Sequence, residues 1–166
     1  MRVLGIDCGS EFTGYGLVEQ NDNRDLRYIT CGTIKLSTRQ PLPDRLNQVY
    51  ETLRKVIAEF HPDDVAIEDV FYAVNAKSAL KLGQVRGVAM LAASSCGLPV
   101  SEYAPLSIKS AVVGYGKAEK SQVQHMVTAL LSLSAPPESP DAADALAIAI
   151  CHLHTAGTLR RQGIAR

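Results

Sequence analysis

The hydrophobic pattern of this chain changes its period near residue 40, and this change restricts the fold more than any other feature. Residues 3–34 contain three short apolar runs that are broken at residues 8–10 and 20–23. Such a pattern is typical of an antiparallel meander of strands. From residue 46 to residue 60, apolar residues recur at steps of three and four, which predicts an amphipathic helix. The chain therefore begins with strands alone and continues with helices.

The rest of the chain alternates between predicted strands and helices. Apolar runs at 65–68 and 100–103 predict two more strands, and helical stretches are expected at 79–93, 106–113, 120–131 and 141–154. This order predicts an α/β fold with a mixed five-stranded sheet covered by helices on both faces. We expect a single domain over residues 1–155, because 166 residues with 46% apolar content can bury a sizeable core. Residues 156–166 are expected to form a mobile basic tail.

Composition argues against several classes of protein. Seventeen basic residues balance seventeen acidic ones, so binding to a polyanion would require the charges to be sorted in space. Four scattered cysteines without a CxxC pair predict reduced thiols rather than a zinc site. No apolar stretch approaches the roughly 18–20 residues of a membrane span, and the N-terminus has no secretion signal. We therefore predict a cytoplasmic protein that has no membrane contact.

Carboxylates stand at the ends of two predicted strands. Asp7 closes the first strand before a glycine-containing turn, and Glu68 ends the apolar run at 65–68. An aspartate such as Asp7 is also a common residue to begin a turn. Glu68 is harder to explain in that way, because a carboxylate at the tip of an apolar strand either meets a cation or stays exposed.

Two more carboxylates, Asp141 and Asp144, begin the last predicted helix and can point to one face. Asp141 also suits the helix dipole, with Ser139 as N-cap and Pro140 as first residue. Asp144 precedes an apolar run and has no lysine or arginine within the predicted helix, so it needs a partner. Converging carboxylates are stable chiefly around hard divalent cations, and two such ions about 4 Å apart can hydrolyse a phosphodiester.

Nearly the whole chain resembles RuvC, a family of Holliday-junction resolvases. The matching motifs are, in order, GID at 5–7, GS at 9–10, TGYG at 13–16, AIE at 66–68, VF at 70–71, Asn75, SALKLGQ at 78–84, VVG at 112–114, AEKSQVQHM at 118–126 and DAADALAIA at 141–149. GID alone is a weak signal, whereas the ordered set is specific. The resemblance implies a ribonuclease H-like nuclease domain whose magnesium-binding catalytic residues are Asp7, Glu68, Asp141 and Asp144.

The resemblance also implies an activity and its partners. The expected enzyme is a crossover junction endodeoxyribonuclease, which resolves four-way DNA junctions in recombination and repair by symmetric paired nicks. It would use two Mg²⁺ ions per subunit when substrate is bound, with Mn²⁺ as a substitute. A homodimer is expected, since each subunit supplies one site for one strand. RuvA and RuvB, the branch-migration proteins of the family, are the expected protein partners.

Three further residues fall at DNA-binding positions of the family. Phe71 stands where the family has an aromatic that wedges into bases at the crossover, and an exposed ring there can stack on an unpaired base. Lys109 and Lys120 fall where the family contacts DNA phosphate near the active site. On other grounds Phe71 could fold back onto the core, and an isolated lysine could be solvated. A wider basic surface could include Lys77, Lys81, Arg86 and Lys117.

Two positions depart from the family pattern. Cys8 stands where proline is usual, so we expect a less rigid turn after Asp7. Asp69 stands where an amide is common. If β-strand geometry continues past Glu68, Asp69 should point away from the site, because neighbours along a strand face opposite ways. Its charge could still weaken DNA affinity.

Two other functions are consistent with parts of this sequence. A junction-binding module that has lost catalysis would account for Cys8 and Asp69, but all four acidic positions are occupied. An actin-like phosphotransferase also begins with GID and a glycine-bearing hairpin. That class needs two such domains around a cleft, and 166 residues leave no room for both.

Overall fold

The structure is a computed structural model that describes residues 1–69 and 76–161. Within these residues the elements are, in chain order, β1 (Arg2–Asp7), β2 (Phe12–Gln20), β3 (Leu26–Lys35), α1 (Leu42–Phe60), β4 (Asp64–Glu68), α2 (Ala76–Ser95), β5 (Val100–Tyr103), α3 (Pro105–Val113), α4 (Lys120–Leu130) and α5 (Pro140–Arg161). Each predicted strand and helix is present. The main differences are in helix length, because α1 begins before its predicted start and α2 extends past both ends of its predicted range.

The sheet joins an antiparallel half to a parallel half. Its strand order is β3-β2-β1-β4-β5. The β1–β2 and β2–β3 pairs are antiparallel, and the β1–β4 and β4–β5 pairs are parallel. The predicted meander and mixed sheet are therefore confirmed. Because β1 and β4 are parallel neighbours, their last residues, Asp7 and Glu68, lie at the same edge of the sheet.

Alternate residues of the central strands point into two separate cores. Val3 of β1 and Ala66 of β4 belong to a core formed with α3, α4 and α5. The next residue of β1, Leu4, and the preceding residue of β4, Val65, belong to a second core formed with α1 and α2. The expected helices on both faces of the sheet are thus confirmed. None of the helices in the described part of the chain is long and apolar enough to span a membrane.

Three glycines allow α5 to lie directly on β1 and β2. A Cβ atom at Gly5 would stand 2.0 Å from the carbonyl oxygen of Ala145, and one at Gly14 would stand 2.0 Å from that of Asp141. Gly16, the register partner of Gly5, likewise has no room for a Cβ atom. Any larger residue at these positions would force the helix away from the sheet.

Ser139 holds the start of α5, as the sequence predicts for an N-cap residue. The backbone N–H of Ala142 donates to Ser139 Oγ at 3.0 Å, and the hydroxyl groups of Ser139 and Thr33 hydrogen-bond each other. The helix then begins with Pro140. The first turn of α5 is therefore attached to β3, the strand at the edge of the sheet.

The last helix is longer than its apolar pattern indicates. It ends at Arg161 rather than near residue 154, since the backbone hydrogen bonds of a helix can continue where burial stops. It therefore includes the first residues of the segment that we predicted as a tail, and residues 162–166 lie outside the described residues. The division into a domain over 1–155 and a mobile tail stays a prediction.

We predict that Gly5→Ala and Gly14→Ala each destabilise the chain strongly. The added Cβ would meet α5 backbone at 2.0 Å, and backbone cannot move aside as a side chain can. The loss in free energy of unfolding should reach or exceed the upper end of the about 1–3 kcal/mol that is typical of overpacked cores. Urea unfolding followed by circular dichroism would measure it. A variant that unfolds at the parental urea concentration would contradict this packing.

Candidate active site

Asp7 and Glu68 end the two central strands on the sheet face that α5 covers. Asp7 lies two residues after Gly5 and so leaves β1 on the same side, and Glu68 has the equivalent orientation in β4. Asp7 is also the register partner of Gly14, and the backbone of Asp141 lies directly over Gly14. The close packing of α5 thereby places the start of that helix over the two strand ends.

One cleft contains most of the predicted polar site residues. Its polar lining consists of Asp7, Glu68, Asp144, Lys109 and Lys120. Its apolar walls come from α3, α4 and α5 and consist of Pro105, Ile108, Val123, Ala147 and Ile148. Asp141 is not part of the lining, yet its charge raises the pKa of Asp7. The structure therefore brings together three of the four predicted carboxylates and both predicted lysines, with Asp141 at the margin.

The carboxyl group of Asp7 is strongly perturbed by its surroundings. Its pKa is raised from the ordinary value of 3.8 to about 7, and burial is the largest cause. Desolvation has this effect because it disfavours the charged form. The negative charges of Asp144, Glu68 and Asp141 raise the pKa further, and the ammonium group of Lys120 lowers it. Such a carboxyl group is well suited to exchange its proton for a cation.

Glu68 experiences the same opposing influences. Burial raises its pKa, and the charge of Asp144 adds to this effect. The ammonium groups of Lys120 and Lys109 lower its pKa. Repulsion among the carboxylates is thus already opposed by two positive charges, one from α3 and one from α4.

Lys120 is the partner that Asp144 lacks within its own helix. Its Nζ atom lies 3.2 Å from Asp144 Oδ2, and the charge and the hydrogen bond of Asp144 raise the pKa of Lys120. Lys120 is the first residue of α4, which begins with a capping box formed by Glu119 and Gln122. A positive charge at a helix N-terminus opposes the helix dipole. The acidic cleft, rather than helix stability, therefore explains a lysine at this position.

The chemistry of these donors fits a hard divalent cation. The acidic side chains of the cleft offer only carboxylate oxygens, which suit Mg²⁺ or Mn²⁺ better than softer metals. Within residues 1–69 and 76–161, no group of three or more His, Cys, Asp or Glu side chains is already arranged to hold an ion. A divalent cation would offset the mutual repulsion of these carboxylates, since opposite charges attract.

Comparison with known proteins identifies the family. Residues 3–152 match the family described as crossover junction endodeoxyribonuclease RuvC. The chain belongs to the RuvC family. It is 65% identical over 161 residues to a crossover junction endodeoxyribonuclease RuvC of Koribacter versatilis, and the match covers 97% of each chain. The resemblance that the sequence motifs carry is therefore confirmed, and the chain is an endodeoxyribonuclease rather than an actin-like phosphotransferase.

Solved structures of resolvases share the fold of this RuvC chain. Thermus thermophilus RuvC in complex with a Holliday junction substrate has a TM-score of 0.87 and 31% identity, covering 100% of this chain and 99% of that one. The yeast mitochondrial Holliday junction resolvase Ydc2 has a TM-score of 0.70 at 14% identity, covering 96% and 82% of the two chains, and shows a likeness of fold alone. The predicted ribonuclease H-like fold is confirmed.

The two departures from the RuvC pattern lie outside the cleft lining. Asp69 pairs with Arg86 of α2 at 3.4 Å, on the sheet face opposite α5, which agrees with the predicted orientation. Cys8 packs against the core shared with α1 and α2. Burial raises the pKa of its thiol to about 12, so Cys8 is a neutral thiol at physiological pH. The effects of both residues on activity stay predictions.

The contact between Arg86 and the end of β4 could not be predicted from the sequence, where Arg86 was a candidate for a wider basic surface. The guanidinium group of Arg86 instead donates to the carbonyl oxygen of Glu68 at 3.2 Å and pairs with Asp69 and Glu102. The sequence feature that could have indicated this contact is Asp69, an acidic residue where the family commonly has an amide. Phe71 lies outside the described residues.

We predict a pH-dependent stability difference between the parent protein and Asp7→Asn, both without metal. Asp7 keeps its proton up to about pH 7 when folded but only to about 3.8 when unfolded. Between these values the unfolded state binds fewer protons, so the free energy of unfolding of the parent falls as pH rises. The stability advantage of Asp7→Asn should therefore grow from pH 4 to pH 7 and then level off.

Urea unfolding in chelator at a series of pH values would measure this difference. Added Mg²⁺ serves as the control, because it should stabilise the parent at high pH and not the variant. A difference that is independent of pH would contradict the perturbed state of Asp7.

Proposed function

We propose that this RuvC chain resolves four-way DNA junctions by metal-dependent paired nicks, with Asp7, Glu68, Asp141 and Asp144 as its catalytic, metal-binding residues. The observation that carries the proposal is the cleft in which half-buried carboxylates from two strands and one helix lie beside two lysines. The Thermus relative described above, whose structure contains a Holliday junction substrate, supports four-way DNA as the substrate.

Mg²⁺ is the proposed cofactor, with two ions per subunit when DNA is bound and Mn²⁺ as a substitute. The family is one of metal-dependent nucleases, and the all-oxygen donor set favours these hard ions. The chemistry that two bound ions supply is activation of a water and stabilisation of the leaving oxygen. The chain contributes a partly dry cleft and carboxylates held on two rigid strands and a helix.

Lys109 and Lys120 are proposed to hold the phosphate backbone at this cleft. Both line it beside the carboxylates, and ammonium groups bind phosphate through charge-assisted hydrogen bonds. Lys120 pairs with Asp144, and this pair would part when positive charge from another source neutralises Asp144. The wedge role of Phe71 stays a prediction that rests on the family match.

We also propose a homodimer whose contact is the outer face of α2. Leu80 and Leu91 are 69% and 57% exposed on this face. Between them lie Gly83 and Gly87, where an added Cβ would meet nothing within 4 Å. Two leucines flanking two glycines leave a flat apolar strip with no partner inside the described part of the chain, and glycines permit close helix packing. A second copy of this chain is the proposed occupant of the strip. If α2 of one subunit packs against α2 of the other, the contact is isologous and the dimer has twofold symmetry.

The remaining proposals come from the family. RuvA and RuvB are the proposed protein partners, and the cytoplasm is the proposed location. Residues 1–155 are the proposed nuclease domain, and among the described residues the members of both cores lie between residues 1 and 153. The segment from residue 156 remains the proposed basic tail.

We predict that Asp7→Asn abolishes cutting of a synthetic four-way junction and leaves junction binding intact. The change removes a metal ligand and keeps the size of the side chain. The matched control is Asp69→Asn, the same chemical change on the opposite face of the sheet, which should keep its cutting activity. Nick mapping with Mg²⁺ and gel-shift binding with chelator would measure the two properties.

The outcomes of this experiment separate the candidate functions. Paired, symmetric nicks in the junction and none in a matched linear duplex support the resolvase. Tight junction binding without nicks in any metal would indicate a binding module that has lost catalysis. Parental cutting by Asp7→Asn would show that the site assignment is wrong.

We predict that Leu91→Glu converts a dimer to a monomer. A charge placed within an apolar contact is left without a partner and without water. The matched control is Tyr28→Glu, since Tyr28 is also an exposed hydrophobic residue but lies on β3, the edge strand opposite β5, whereas α2 connects β4 to β5. Light scattering coupled to size exclusion would give the masses. A Leu91→Glu protein that remains dimeric would rule out α2 as the contact.

A further inference from the structure

Arg86 contacts the end of β4 from behind the cleft. It lies on α2 with its side chain 18% exposed. Its Nε atom donates to the carbonyl oxygen of Glu68 at 3.2 Å, and its guanidinium group pairs with Asp69 at 3.4 Å and, more closely, with Glu102 of β5. Three groups from two strands are therefore held by one side chain.

Arg86 does not belong to the lining of the cleft. The neighbouring residue Val85 packs into the core that α1 and α2 form with the sheet, which is the face opposite α5. The hydrogen bond to the Glu68 carbonyl therefore comes from behind the end of β4. Arg86 is enclosed by acidic and backbone partners and is poorly placed to contact DNA.

The peptide group that follows Glu68 is fixed at both of its ends. Its N–H, which belongs to Asp69, donates to the carbonyl oxygen of Tyr103 at 2.8 Å. Its carbonyl oxygen, which belongs to Glu68, accepts from Arg86 at 3.2 Å. A peptide plane held in this way restricts the last backbone torsion of Glu68, and that torsion decides how the strand end presents its carboxylate.

We propose that Arg86 is a positioning residue for the reaction, which holds the Glu68 carboxylate in the orientation that metal binding needs. This inference rests on the proposed function of Glu68 as a metal ligand. Arg86 also neutralises Asp69, the acid that stands where the family commonly has an amide. A guanidinium group suits this task because its rigid fork presents several donors, whereas lysine carries a single ammonium group.

The test compares Arg86→Met, which has no hydrogen-bond donor, and Arg86→Lys with a matched arginine at the other end of the sheet. Arg2 also binds a backbone carbonyl, that of Phe60, and an acid, Glu19, and Arg2→Gln therefore controls for a general loss of stability. Three quantities are measured for each protein: junction affinity in chelator, the single-turnover cutting rate across a Mg²⁺ series, and the Mg²⁺-induced rise in unfolding temperature without DNA.

We expect Arg86→Met to bind the junction as the parent does but to cut it about 10–100-fold more slowly, which is the usual loss when support of a metal ligand is removed. The Mg²⁺ concentration for half-maximal cutting should increase, and the Mg²⁺-induced rise in unfolding temperature should shrink. Arg86→Lys should recover part of the loss. Arg2→Gln should keep the parental cutting rate and metal response.

A second variant separates geometry from charge. In Arg86→Met/Asp69→Asn the unpaired acid is removed, but the donor to the Glu68 carbonyl is still missing, because methionine has no N–H group, so cutting should remain slow. Recovery of the parental rate in this double variant would overturn the positioning role, because the loss would then come from charge alone.

Three other results would also overturn the proposal. They are a parental cutting rate and metal response in Arg86→Met, an equal loss in Arg2→Gln, and a loss of junction affinity with normal cutting once bound. The metal titration without DNA tests Arg86 even if the parent cut no junction, so failure of this inference can be distinguished from failure of the proposed function.

Discussion

The close approach of α5 to β1 and β2 is the constraint on which the rest of this structure depends. It requires glycine at positions 5, 14 and 16, because a Cβ atom at any of them would collide with the helix. With the helix seated on the sheet, Asp144 lines the same cleft as Asp7 and Glu68. The glycines that appear in the GID and TGYG motifs thus have a packing role, and the geometry of the acidic cleft follows from that packing.

The charged residues of this cleft lower the local stability of the fold. Burying several carboxylates together is unfavourable, as the raised pKa values of Asp7 and Glu68 indicate. Lys120 offsets part of this repulsion through Asp144, although its own position at a helix N-terminus opposes the helix dipole. Departures from local rules are expected at functional sites, and this pair lies in the proposed active site.

Both central strand ends are supported from the opposite face of the sheet by buried or half-buried arginines. Arg45 of α1 donates to the carbonyl oxygen of Ser10, in the turn after Asp7, at 3.3 Å. Arg86 of α2 donates to the carbonyl oxygen of Glu68. The two helices behind the sheet therefore do more than cover a core, since each also restrains the backbone next to a proposed metal ligand.

The sequence by itself determined the strand and helix order, the mixed sheet, the carboxylates at two strand ends and the family, because period, caps and ordered motifs are local or linear properties. Only the tertiary structure decided that Lys120 is the partner of Asp144, that Asp141 stands at the margin of the cleft, and that Arg86 lies behind Glu68, outside the cleft lining. The sequence could not show these contacts because they join residues from different elements. Which side chains meet between two elements depends on how closely the helices approach the sheet. The hydrophobic period of a single element does not predict that distance.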